Sequence, residues 1–314
     1  MPESGFFDYD SVVNENIAEL TSNARKGFEE RICEIAYIAD TVVASAVEFV
    51  RNGLSREEIF ALLSEELSSL PQEKNAGVDS VFETGSIVSW LEDMDKAILS
   101  ELIAQKLAEC GISAEEKVFL PSEETDETFT YVKNILSDEA FDVFAQDFTD
   151  PRVAYSESFK EACFAVADGK VGYCILPLEE KGGVRIPGIY SLILKLDLKI
   201  VAVTPVFGPE GNSDTKYALV GRGFSIPERG EDNDRYLELR LDKRNDLGSV
   251  LSVAKRFLLT PYRINTMYSG EIDNAEAFYS VVLKDGGSGF VPFLIYLTVF
   301  SEGFTSVGIY ENLE

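Results

Sequence analysis

Pro177-Leu178-Glu179-Glu180-Lys181-Gly182-Gly183 is the stretch whose residue types best suit chemistry, with Arg185 two residues further on. Two carboxylates and an ammonium group stand beside a pair of glycines. An apolar run precedes the stretch and a helical pattern follows it, the place where open α/β sheets put ligand sites. A plain strand-to-helix loop punctuated by Pro and Gly accounts for the same letters. The chain of 314 residues contains no histidine. That excludes a Ser-His-Asp triad, a Cys-His dyad and histidine-ligated zinc. Acid–base work would fall to carboxylates, Lys, Tyr or Cys. Cys33, Cys110, Cys163 and Cys174 form no CxxC pair and read as reduced core residues of a cytosolic protein. No cofactor and no metal are expected.

The elements that would position this stretch are short. Val171–Leu176 and Leu198–Val206 are β-branched and aromatic runs that read as buried strands. Phe159–Asp168 and Gly188–Lys195 carry apolar residues at helical spacing. Strands alternating with helices of this length predict a parallel α/β sheet. Upstream, Lys117–Leu120 reads as a strand, Phe129–Phe144 as a helix and Val153–Tyr155 as a further strand.

The N-terminal third is helical. Apolar positions recur every three or four residues from Asn16 to Val50, a pattern that could break near Gly27. A second helix opens at a capping box, Ser55 with Glu58. A third runs from about Ser86 to Cys110 and stops at Gly111. At the other end, Arg235–Asp242, Leu247–Leu259, Tyr262–Ser269, Ala277–Lys284, Phe290–Phe300 and Thr305–Tyr310 read as βαββαβ, the ferredoxin-like order. Asp285-Gly-Gly-Ser-Gly289 lacks the lysine and spacing of a phosphate loop and reads as a connection. The expected class is therefore α+β, with a helical domain (11–115), an α/β lobe (116–226) and a ferredoxin-like βαββαβ domain (234–314).

The formal net charge is −27. Phosphate binding needs basic patches, so nucleic acid is not expected as a partner, nor is an anionic membrane surface. No apolar run reaches the ~18 residues of a membrane span. The first residues, MPESGFFDYD, lack the basic and apolar regions of a secretory signal. A cytoplasmic protein is expected.

Phe159-x-Glu161-x-x-x-Ala165-Val166, then Gly169, Tyr173 and Pro177-Leu178-Glu179, resembles the pattern of the prephenate dehydratase family, and Asp197-Leu-Lys-Ile-Val201 continues it without a gap. Thr215-Lys216-Tyr217 resembles the family's Thr-Arg-Phe strand, and the C-terminal βαββαβ order resembles its ACT domain. The resemblance implies that Thr215 and Lys216 are the catalytic pair and that Glu179, Glu180, Lys181 and Arg185 bind substrate. It further implies an amino-acid site at Gly248, Ser249, Val250 and Asn265, where the family binds phenylalanine between two ACT domains, and hence a homodimer. Three departures stand out. Lys216 replaces an arginine, and a point charge cannot grip a carboxylate in two places as a guanidinium does. Glu180-Lys181 replaces a neutral Asn-Ser pair. Above all, only Phe207–Asp214 separates the two strands between which the family inserts a whole second lobe. The family's second phenylalanine-binding motif is also lost, replaced by Met267–Ile272.

The expected function is that of a prephenate dehydratase-related protein of aromatic amino-acid metabolism, degenerate in catalysis and retained for regulation or amino-acid binding. Two alternatives stay open. One is an active dehydratase converting prephenate to phenylpyruvate, with Thr215 assisting departure of the hydroxyl. The other is a scaffold with no small-molecule ligand. Chorismate mutase domains are often fused to this family, but Arg25, Lys26, Arg31, Arg51, Arg56, Lys74, Lys96 and Lys106 are few among the carboxylates of the helical part. An interaction or dimerisation role is expected there.

Overall fold

The computed structural model describes residues 9–51, 63, 65, 67, 93–112, 127–180, 184–207, 214–223, 234–244, 246–269, 276–287, 289–301 and 304–313. The expected strand Lys117–Leu120 and most of the second helix lie outside them.

Helix α1 (Tyr9–Arg51) runs unbroken through Gly27. Ile35, Ile38, Ala39, Val42, Val43 and Ala46 recur at helical spacing and are buried against Leu99, Ile103 and Leu107 of α2 (Asp93–Glu109). Arg31 Nη2 donates to Asp95 Oδ2 at 2.6 Å across the pair. At the end of α2, Gly111 takes a left-handed φ of 74°. There the Gly111 N–H bonds Ala108 O and the Ile112 N–H bonds Leu107 O, so the expected cap forms.

The first strand of the sheet, β1 (Thr128–Tyr131), occupies residues read from sequence as the start of a helix. Thr-Phe-Thr-Tyr is a β-branched and aromatic run, and the helix begins only after Asn134, whose side chain accepts from the Ser137 N–H. There follow α3 (Ile135–Phe144), β2 (Arg152–Tyr155), α4 (Phe159–Ala167), β3 (Tyr173–Glu180), β4 (Val184–Arg185), α5 (Pro187–Lys195), β5 (Lys199–Phe207) and β6 (Asp214–Gly221). The C-terminal part comprises β7 (Arg235–Asp242), α6 (Leu247–Arg256), β8 (Leu259–Ser269), β9 (Glu276–Asp285), α7 (Phe290–Phe300) and β10 (Phe304–Glu311).

All of these strands belong to one sheet, ordered β2-β1-β3-β6-β5-β10-β7-β9-β8, with β4 paired to β3. Only β2, β1 and β3 and the β5–β10 joint are parallel; the rest is antiparallel. The expected parallel sheet is thus a mixed one. The reason lies in β5 and β6, which form a hairpin with Val206 opposite Thr215 and Phe207 opposite Asp214. A connection of six residues (208–213) permits an antiparallel neighbour and is too short for a crossover helix.

Strands β7 to β10 stand in the ferredoxin-like order, the fourth beside the first and the third between the first and second. Their sheet joins the other half along β10, where Gly308 lies against Ile200 of β5, Asn312 bridges Val203 and the Leu313 N–H donates to Val203 O at 2.8 Å. A Cβ at Gly308 would lie 2.5 Å from Ile200 O, so the joint needs glycine. Alternation sets the two faces. Leu237, Leu239, Leu241, Val281 and Leu283 meet α6 and α7, whereas Tyr236, Phe278, Val282 and Tyr310 meet α4 and α5. Helix α7 is apolar all round because both its sides are covered. Phe293, Leu294 and Leu297 face the sheet, while Val291 and Ile295 face α1 and α2.

Candidate functional site

Six side chains from both halves of the sheet converge on its α4/α5 face. Strand β3 delivers Glu179. Its pairing with β6 shifts by one residue between Pro177 and Glu179, and this irregularity places Glu179 opposite Lys216. The stretch expected to be a ligand loop is therefore largely strand: Pro177–Glu180 extends β3, and Arg185 returns on β4 directly across from Glu179. Lys181, Gly182 and Gly183 lie outside the described residues. Strands β7, β9 and β10 contribute Glu238, Ser280 and Tyr310.

The cluster is a buried charge network. Glu238 is 0% exposed and Arg185 5%. Arg185 Nη2 donates to Glu238 Oε2 at 2.6 Å and to Tyr310 Oη at 3.3 Å. The Tyr310 hydroxyl donates to Glu238 Oε2 at 2.9 Å, and Ser280 Oγ donates to Oε1 at 3.0 Å. Three donors thus satisfy one carboxylate. Glu179 accepts from Arg263 and lies 3.1 Å from Arg185 Nη1, where distance but not direction suits a hydrogen bond. Burial opposes the charge of Arg185, but Glu238, Tyr310 and Glu179 together outweigh it and hold the guanidinium above its ordinary range. Burial pushes the Tyr310 hydroxyl well up, and the Glu238 charge adds to this, so it serves as a neutral donor. Tyr190 of α5 is raised in the same way, by burial first and then by Glu238.

Beside this network lies a cavity of about 10 Å³, lined by Glu179, Arg185, Lys216, Arg263, Tyr310 and Asn312 among others. It has room for about one water molecule. A drug-sized ligand needs a few hundred Å³.

Of the residues singled out from sequence, Glu179, Arg185 and Lys216 meet at this cavity. Thr215 does not. Neighbours along a strand point to opposite faces, and Tyr217 and Leu219 pack with α3 whereas Ala218 and Val220 pack with α4 and α5. Thr215 shares the first face and Lys216 the second. Glu180 is exposed at the end of β3. Gly248, Ser249 and Val250 form the first turn of α6, capped by Asp246, which accepts from the Gly248 N–H at 3.0 Å and from Ser249 Oγ at 2.7 Å. Asn265 is paired with Ser280 and so belongs to the other face of the sheet from α6. The chain does not bring these four residues together. Glu238 and Ser280 went unread in the sequence. The signal was available: Arg-Tyr-Leu-Glu-Leu-Arg-Leu-Asp alternates, but Glu238 faces a second covered side rather than water. Among the described residues no cluster of three or more His, Cys, Asp or Glu could hold a metal, and no helix is long and apolar enough to cross a membrane.

No family model matches the chain, and no curated protein matches it. Several solved structures do. One is a prephenate dehydratase from Streptococcus mutans, with TM-score 0.47 and 17% identity over 60% of this chain and 99% of that one. A second is GqqA, described as a novel type of quorum-quenching acylase, with TM-score 0.44 and 20% identity over 59% of this chain and 94% of that one. A third is a prephenate dehydratase from Arthrobacter aurescens in complex with L-Phe, with TM-score 0.40 and 15% identity over 58% and 89%. Likenesses at this level establish neither a family nor an activity for the chain.

Proposed function

We propose that this chain is a cytoplasmic, homodimeric binding protein of aromatic amino-acid metabolism, built on a prephenate dehydratase-like lobe and an ACT-like βαββαβ unit, and that it does not convert prephenate to phenylpyruvate. The β5–β6 hairpin carries this reading. Val206 pairs directly with Thr215, so no segment remains between them to form a second wall around a substrate. Enclosure and positioning supply much of an enzyme's rate, and one wall supplies neither. The split of Thr215 and Lys216 between two faces supports the same conclusion, as does a cavity too small for a dicarboxylate. Purified protein incubated with prephenate should give no phenylpyruvate absorbance above the spontaneous rate. Turnover that disappears in Thr215→Ala overturns the proposal.

The amino-acid site in this reading is the α6 turn, Gly248–Val250, with Asn265 contributed from a second copy. A ligand carboxylate there must displace Asp246 from the Gly248 N–H. A thermal-shift screen of the twenty amino acids should therefore show a stronger response in Asp246→Ala than in the parent. An occupant at 100 times its dissociation constant stabilises by ~2.7 kcal/mol. No response in either protein removes the amino-acid role and leaves a scaffold.

A further inference from the structure

Helix α1 carries a second stripe besides the one it buries. Cys33, Tyr37, Asp40, Ala44, Val47 and Arg51 recur at alternating steps of four and three residues, on the side turned away from Ile35, Ala39, Val42 and Ala46. Val47 is half-buried and the other five are exposed. Tyr37, at 73%, is the most exposed large apolar side chain among the described residues, and its ring and hydroxyl have no partner there. One turn further on, an open groove of about 560 Å³ runs between α1 and the end of α2. Aliphatic Val43, Ala44 and Val47 line it together with Glu48, Arg51 and Glu109. Asp40 at its edge is held by Lys106 Nζ at 2.5 Å, whereas Arg51 has no hydrogen bond or ion pair among the described residues. A projecting aromatic ring, an aliphatic groove and a free cation thus share one face of one helix.

We propose that this face of α1 is the contact between two copies of the chain, packed antiparallel about a two-fold axis that passes between Asp40 and Ala44. The spacing fixes the register, because steps of four, three, four, three and four read the same in both directions. Cys33 meets the partner's Arg51, Tyr37 the partner's Val47 and Asp40 the partner's Ala44. The Tyr37 ring of each copy enters the groove of the other. Charge selects both occupant and direction. In a chain of net charge −27 this stripe carries one acid, already paired, and one free cation, so two copies meet here without the general repulsion. The antiparallel register brings Arg51 within a turn of the partner's Glu30, which is exposed and only 3.8 Å from a single lysine, Lys26. A parallel pair would set Arg51 against the partner's Arg51 and ring against ring, with both grooves empty. A small ligand could fill the groove but would leave Tyr37 uncovered. The inference rests on the homodimer of the proposed function and gives that dimer a surface.

The test is the mass of the full chain in solution over a range of concentrations, by sedimentation equilibrium. Tyr37→Glu should raise the dimer dissociation constant at least about tenfold, and Tyr37→Phe should leave it near the parent's. Because Tyr37 is exposed, the same variant should unfold at the parent's Tm when both are dilute enough to be monomers. Arg51→Glu should weaken the dimer, and adding Glu30→Arg should restore it. Cross-linking reads the register directly. With Cys33→Ser and Cys110→Ser removing the exposed thiols, a short bismaleimide should bridge two copies of Ala44→Cys, which face each other across the axis. Cys33 left as the only exposed thiol should not be bridged, since the two Cys33 residues stand about 27 Å apart along the helices. A dimer whose dissociation constant is unchanged in Tyr37→Glu, or one that Ala44→Cys does not cross-link, overturns this inference and leaves the homodimer joined elsewhere. A parent that stays monomeric at every concentration overturns the homodimer as well.

Discussion

Two carboxylates in this chain do the same local job in opposite settings. Asp246 collects the Gly248 N–H and the Ser249 hydroxyl at the exposed start of α6. Glu238 collects Arg185, Tyr310 and Ser280 at the centre of the sheet, with none of its surface in water. Asp246 finds its partners two and three residues along the chain. Glu238 finds them 42, 53 and 72 residues away, on three other strands. The exposed group is helped by its partners and can do without them, because water replaces what they offer. The buried group cannot, since removing a partner leaves a charge in a medium that does not solvate it. The seam between the two halves is therefore a point of specification. It demands a particular partner for each charge, whereas the helix turn only prefers one.

The strongest way to break this contrast is Glu238→Gln. It keeps the shape and removes the closer of the two carboxylates beside Arg185, Glu179 being the other, with an expected loss of about 3 kcal/mol in denaturant unfolding. The sharper version adds Arg185→Met to Glu238→Leu. If the ion pair is the cause, the double variant should lose less than the sum of the two single changes, because an apolar pair of similar volume needs no compensation. Additive losses would mean that packing, not charge, dominates the seam.

How much of this could be read from the residues follows the same division between near and far. Gly111 as a helix stop, the apolar helix Phe290–Phe300 and the order of elements from Arg235 onward were legible because each depends on neighbours in sequence. The single short connection after Phe207 also gave the hairpin, since six residues leave little choice. Two local readings failed for a physical reason. Phe129–Tyr131 fits a helical spacing with the residues after it, but pairing with β2 and β3 on both sides decides for strand. Pro177–Glu180 looks like a loop because Pro and two acids follow an apolar run. There the hairpin to β4 and the bulge at Pro177 hold it in the sheet, and Arg185 neutralises the acid that turns inward. Half of the candidate site was visible as Glu179, Arg185 and Lys216. Glu238, Ser280 and Tyr310 were not, because nothing local says that a strand will be covered on both sides.

A smaller effect is expected at the β5–β10 joint, where the Ile200 backbone packs against Gly308. Gly308→Ala puts a methyl group 2.5 Å from Ile200 O, and β5 and β10 must part by a few tenths of an ångström or more. Overpacking of this kind costs about 1–3 kcal/mol. If the seam is held mainly by the charge network, hydrogen exchange should quicken at the β5–β10 joint in this variant while the Arg185–Glu238 region stays protected. Uniform loosening of both halves would show that the backbone joint, and not the network, unites them.

The smallest effect belongs to Asp246, and its pH dependence carries the contrast to its other end. The Ser249 hydroxyl, and after it the Gly248 N–H, hold this carboxyl below its ordinary value of 3.8. A group whose pKa is lowered by folding contributes stability that is complete above the unfolded value and is lost as pH falls through the folded one. Asp246→Ala should therefore be slightly less stable than the parent at neutral pH, with the gap closing from just below pH 4 downward. Denaturant midpoints of the two proteins between pH 7 and pH 2 measure it. A gap that persists to pH 2 would mean that the neutral acid caps α6 as well as the anion does. The charge at this turn would then be dispensable, unlike the charge on Glu238.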